Sequence, residues 1–344
     1  DAFIIFETLN SRGKDLKASD IIKNHLMYIS SDDLSSVSHY WQKLSSKLND
    51  NSDRLTRFIR TYWSARDRLV VKSNLYRSIS QKVRTADDAR QQLKDLDDLA
   101  PLYDVLENPL ASKENQYFFS NELLMQQIDI LNRLNVKLYY PIMLSLKKSG
   151  FDEEDMLKVI TKIISVFVRH RMIMNEGTNK LEQGFADVAQ KIYSGELSTV
   201  TRINQYIDEK LLKPKEQVAS NFLTLQREGG HSGQKKWTLT YLLSGLYDEN
   251  LYHSAFYDDN FKLVHLQESD IPKVHLNDIG NWTILEKKFA DTFEKTSSTD
   301  KKIELLKQSS LPENQELALS LPSWTTDSVK ERQKQLANQA TLVW

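Results

Sequence analysis

Phe261-Lys262-Leu263-Val264-His265 is the stretch at which the pattern of this chain changes, because it alternates like a β-strand. Almost everything before it follows the 3.6-residue period of amphipathic helices. From Leu34 to Leu48, the residues Val37, Trp41, Leu44 and Leu48 fall on one face. The next helix starts at Asp53 and turns Leu55, Phe58, Ile59, Tyr62 and Trp63 inward. Further helices are predicted from about Ser73 to Val83, Thr85 to Leu106, Ser120 to Leu134, Leu138 to Lys148, Glu153 to Asn175, Asn179 to Tyr193, Ser198 to Leu211, Lys215 to Leu225 and Trp237 to Glu249. After Phe261 the chain is short-patterned and turn-rich as far as Leu285, and helices then resume. The expected fold is mainly α, with a multi-helical middle region and a small C-terminal α+β domain of ββα form. The boundary between them falls near Asn250 to Asp258.

Composition limits the function. With 344 residues there is room for two or three domains, and only 10 Gly and 7 Pro agree with a helical protein. A net charge of −1 excludes a globally basic nucleic-acid binder but leaves a local basic patch open. No Cys means no disulfide, no thiolate zinc site and no Cys nucleophile, which fits a cytoplasmic protein. No apolar run approaches about 18 residues, so no membrane partner is expected, whereas a homo-oligomer stays open. The loop Gln226 to Lys236 holds three of the ten glycines and reads either as a flexible connector or as a DNA-contacting loop.

At the other end, Asn10-Ser11-Arg12-Gly13-Lys14 precedes a helix for which Ser19 is the expected N-cap and Asp20 the first-turn acid. Backbone N–H groups, a permissive Gly and two cations are the ingredients of an anion site, and equally of an ordinary polar turn. The pattern Phe6-x-x-Leu9-Asn10-Ser11-Arg12-Gly13-x-x-Leu16-x-x-x-Asp20-x-Ile22-Lys23-Asn24 resembles the closing segment of the ParB/sulfiredoxin-like domain in the GmrSD-type, modification-dependent restriction family. The resemblance implies nucleotide binding and hydrolysis, with Asn10, Arg12 and Lys14 as candidate nucleotide contacts. The family's Asp-Gly-Gln-Gln-Arg motif lies upstream of this segment and does not occur here. Asp1 opens the chain inside what reads as a strand, so a fragment is expected, with any NTP chemistry mostly outside it. Residues 1–30 then read as the tail of that domain, 31–255 as a helical region and 256–344 as an HNH-like domain.

The C-terminal landmarks carry the second half of the resemblance. His265, then Ile279-Gly280-Asn281-Trp282-Thr283-Ile284-Leu285, Asp300-Lys301-Lys302, Ser309-Ser310-Leu311, Trp324-Thr325-Thr326-Asp327-Ser328-Val329-Lys330-Glu331-Arg332 and Trp344 follow the order of the family's His-Asn-His-like nuclease domain. In the middle, Phe58-Ile59-Arg60-Thr61-Tyr62-Trp63 with Leu75-Tyr76, and Val168-Arg169-His170-Arg171 with Thr178-Asn179, match its helical part. Such a nuclease uses a His to deprotonate water and a divalent cation, Mg or Mn, to stabilise the phosphorane. The resemblance implies His265 and Asn281 as the catalytic pair. The family's acidic residue before that His is Val264 here, and its later helical Asn falls near Ala290, so at least two polar groups are missing. Glu268, Asp270, His275 and Asp278 are either replacement metal ligands or a solvated loop.

Basic clusters leave two readings each. Arg54, Arg57 and Arg68, with Tyr62, Trp63 and Tyr76, either face nucleic acid or form a salt-bridged face with Asp53 and Asp67. Arg169 and Arg171 either contact DNA or join His170 in a buried network with Glu176 or Glu182. Trp324 to Arg332 reads as a capped closing helix anchored by its Trp. The expected function is that of a DNA-associated restriction or defence protein. Its HNH-like endonuclease domain is divergent, inactive if nothing replaces the lost groups, and nucleotide-regulated in the full-length form. The alternatives are a non-catalytic DNA-sensing or protein-interaction scaffold, and a helical interaction protein with no DNA role.

Overall fold

The computed structural model describes residues 17–227, 233–247 (backbone alone for 233–237) and 260–344. The chain divides into two compact units. One comprises the residues up to Ile163 with Thr178–Leu211, the other Ile164–Gly177 with Leu212–Trp344. Among the described residues no helix is long and apolar enough to cross a membrane.

The first unit is helical throughout its described part. Helix Leu34–Lys47 buries the expected face of Val37, Trp41 and Leu44. Helix Ser52–Arg66 starts where the Asn51 side chain accepts from the Arg54 N–H, and it buries Leu55, Phe58, Ile59, Tyr62 and Trp63. Helix Ala86–Glu107 begins in a capping box between Thr85 and Asp88, which satisfies two otherwise unpaired N–H groups. Four helices meet at the buried Asp95. Its carboxylate accepts from Tyr62 Oη (3.0 Å), Tyr193 Oη (3.1 Å), Gln91 Nε2 (2.7 Å) and Lys148 Nζ (2.6 Å). Burial pulls the Asp95 pKa up, but the bonds from Lys148, Tyr62 and Gln91 outweigh it and hold the carboxyl below its ordinary value.

Three sequence expectations need correction here. Ser19 is not the N-cap, because the helix runs Ala18–Ile29 from Lys17. Lys17 is held by Asp53 at 2.9 Å, and Ser19 is buried with its N–H donating to Thr56 Oγ1 at 3.3 Å. The helix expected from Glu153 to Asn175 is α-helical only over Glu153–Phe167 and continues as a π turn, Val168–Ile173. Helix Gly233–Tyr247 begins four residues before Trp237, so Gly233 to Lys236 are helical rather than loop. The turn Asn10 to Lys14, most of the glycine-rich loop and the boundary at Asn250 to Asp258 lie outside the described residues.

The second unit contains the expected ββα order. Strand β1, Phe261–His265, pairs antiparallel with β2, Trp282–Glu286, with His265 opposite Trp282 and Phe261 opposite Glu286. Residues 266–281 join them through a short helix, Lys273–Leu276, and a 3₁₀ turn, Ile279–Asn281. Helix Lys287–Lys295 follows β2 directly. Leu263 and Val264 are both buried, because helices Gly233–Tyr247 and Lys287–Lys295 both pack on the hairpin. The alternation in the sequence therefore does not mark one wet face. Val264, Leu285, Ala290, Phe293, Leu305 and Leu306 belong to one core. Glu286 closes the far end of β2 by accepting from Ser309 Oγ at 2.8 Å and from the N–H of Ser310 at 2.6 Å. The closing helix, Thr326–Val343, starts in a capping box of Thr325 and Ser328.

Candidate functional site

His265 ends β1 and Asn281 ends the turn into β2, so the hairpin register brings the two side chains together. Asn281 has no exposed surface. Its Nδ2 donates to Gln267 O (2.8 Å) and Leu276 O (3.1 Å) and lies 2.8 Å from His265 Nε2, while its Oδ1 accepts from Trp324 Nε1 (3.0 Å). His265 Nε2 is also 2.7 Å from Leu276 O. With Nε2–H donating to that carbonyl, both amide protons of Asn281 go to main-chain oxygens and every member of the network has a partner.

The imidazole is 9 % exposed and stacked on Trp282, with ring centroids 4.4 Å apart and planes 18° off parallel. The Arg227 guanidinium lies 4.4 Å from the same indole. A general base needs a lone pair directed at water. Here Nε2 sits inside the buried network, and Nδ1 faces the exposed Glu268 carboxylate at 3.3 Å. This geometry suits the pair to fixing residues 266–281 in place.

Gly280, beside it, is pinned from the closing helix. Its N–H donates to Gln333 Oε1 (3.1 Å) and its oxygen accepts from Arg332 Nη1 (2.8 Å), which also donates to Trp282 O (2.6 Å). A Cβ at Gly280 would lie 2.2 Å from Val329 O, so the helix approaches as closely as it does only because that Cβ is missing. Lys302 is buried in the same unit, donating to Leu266 O at 3.0 Å beside the Phe293 ring; burial holds its pKa below the usual lysine value.

The groups considered as replacement ligands do not converge. His275 Nδ1 is 2.8 Å from Asp278 Oδ2, and the other Asp278 oxygen accepts from Gln226 Nε2 at 2.6 Å. Asp270 is exposed, and Ala290 is buried in the core. Among the described residues no three His, Asp or Glu side chains are grouped to hold a metal ion, so the donors present do not fit Mg or Mn.

The basic candidates separate. Arg169 is 4 % exposed on the π turn, with Nε donating to Trp344 O (2.6 Å) and Nη1 to Lys213 O (2.5 Å). Arg171 is exposed and donates to Asn175 Oδ1 at 2.9 Å. His170 Nδ1 is 3.5 Å from the partly exposed Glu176, which Lys213 also binds at 2.7 Å, so of the expected network it is the His170–Glu176 contact that forms. Glu182 instead accepts from Arg60 at 2.9 Å. On the Ser52–Arg66 helix, Arg54 is buried against Asp104 and Glu107, while Asp53 holds Lys17 and Lys72. That face is salt-bridged, with partners largely other than those expected.

The Trp282 stack and the carbonyls of Gln267 and Leu276 are not legible in the sequence, because main-chain acceptors become ligands only once the loop is folded. Trp324 and Arg332 were legible as landmarks but not as partners of Asn281 and Gly280. No protein-family model matches the chain, and no curated protein matches it.

Proposed function

We propose that this chain belongs to a DNA-associated, defence-type protein whose ββα unit is HNH-like in form and does not cut DNA. The observation that carries the reading is the state of His265: stacked on Trp282, bonded through Nε2 within the Asn281 network, and without a set of metal donors around it among the described residues. Ala290, where the resemblance calls for a polar group, fills core space instead. DNA as partner and nucleotide control through Asn10, Arg12 and Lys14 rest on the resemblance, and they belong to the same proposal. In a plasmid-nicking assay with Mg or Mn, the expected result is no cleavage, with DNA retained in a low-salt binding assay. His265→Ala is expected to lower stability by about 2 kcal/mol, since it removes the stack and the shorter of the two hydrogen bonds to the Leu276 carbonyl. Robust cleavage abolished by chelator and by His265→Ala would overturn the non-cleaving reading. No DNA retention would favour the interaction protein.

A further inference from the structure

A cavity of about 520 Å³ opens in the first unit between residues 68–71, which follow helix Ser52–Arg66, and helix Leu75–Lys82. Its polar lining is Arg68, Asn74, Arg77, Ser78 and Gln81, and no Asp or Glu is among the described residues that line it. Arg54, Arg60, Arg90 and Arg133 are each closed onto a carboxylate at 2.9 Å or less. Arg77 is exposed and has no carboxylate partner among the described residues. Arg68 has a loose contact, 3.7 Å from Asp67.

The wall also contains a buried donor. Ser78 is 2 % exposed, and its Oγ accepts from Trp63 Nε1 (2.8 Å) and from Arg68 Nε (3.2 Å). A hydroxyl that accepts twice still has its own proton to give. The bond from Arg68 also uses Nε, leaving the outer nitrogens of that guanidinium for another acceptor. Two guanidinium forks, a hydroxyl proton and two amides thus line one concavity that holds no anion of its own. Such forks match the paired oxygens of a phosphate. The exposed Val71 and the partly buried Leu69 add an apolar edge, and the volume is that of a small-molecule site rather than of a groove for a polymer.

We propose that this cavity binds a small phosphate-bearing organic molecule, with Arg68 and Arg77 as the phosphate clamp. It is separate from the His265 unit and does not depend on the function proposed for that unit. The test is titration calorimetry on the whole chain with pyrophosphate, ATP and a single-stranded oligonucleotide, at low and at high salt. Pyrophosphate and ATP are expected to bind, and Arg77→Ala and Arg68→Ala are each expected to weaken them about tenfold, the loss of one charge-assisted hydrogen bond. Arg77→Lys, which keeps the charge and loses the fork, is expected to fall between. Arg77 is exposed and has no carboxylate partner among the described residues, so its variants keep the fold, and an unchanged thermal melt checks this. Absence of binding by either small phosphate would overturn the proposal, and so would affinity unchanged in the double variant. Binding of the oligonucleotide alone would overturn it in favour of a nucleic-acid groove.

Discussion

At the scale of single residues, Gly280 and Asn281 show how little space and how few spare hydrogen bonds the second unit has. A methyl group at Gly280 meets the main-chain oxygen of Val329, which belongs to a helix and cannot swing aside as a side-chain end would. Gly280→Ala is therefore expected to destabilise by about 2 kcal/mol in chemical denaturation, in the range of other overpacking changes. Gly177→Ala in the same unit, where nothing lies within 4 Å of the new atom, is the control and should be near neutral. Equal losses in the two variants would show that the Val329 contact does not set the cost. Asn281 was legible as a landmark after Gly280. That its two ends would be used up by Trp324 and by the carbonyls of Gln267 and Leu276 was not, since those partners lie up to 43 residues away and two are main-chain atoms.

At the scale of elements, the helical period was the strongest signal, and it placed Val37, Trp41 and Leu44, and Leu55, Phe58, Ile59, Tyr62 and Trp63, correctly in the core. The failures occurred where tertiary contacts override local rules. Ser19 has the chemistry of a cap but lies inside the helix, because Lys17 and Thr56 set where the chain enters. Asp95 was not singled out, since its role exists only when Tyr62, Lys148 and Tyr193 arrive from three other helices. Asp95→Asn is expected to cost the first unit about 2 kcal/mol at neutral pH. The sign with pH follows from its lowered pKa. The folded state binds the proton less readily than the unfolded one, so the carboxylate's contribution is complete above its ordinary value of 3.8 and fades as pH falls through the lower folded value. The gap between wild type and variant should therefore narrow only in acid. A gap constant from neutral pH down to the lowest pH at which the fold survives would contradict this.

At the scale of the whole molecule, the sequence placed domain boundaries along the chain, near residues 30 and 255, whereas the structure divides it by interleaving. The segment Ile164–Gly177 belongs with Leu212–Trp344 although Thr178–Leu211 lies between them. Hydrophobic period reports which face of an element is buried, not which partner buries it, so this exchange left no local trace. Arg169 is the clearest sign of it, because it donates to the oxygens of Lys213 and Trp344 from that early segment. A fragment of 212–344 should consequently lack a cooperative melt, while 164–344 should show one. A sharp transition in the shorter fragment would mean that the early segment is dispensable. The interleaving also bears on how the molecule tolerates a broken backbone. The chain passes from one unit to the other three times, at 163/164, 177/178 and 211/212. A nick at the last of these severs the backbone without parting the products, since residues 164–177 on one piece remain seated in the unit formed by the other. The two pieces would then be a ready-made complementation pair, able to reassemble from separate chains.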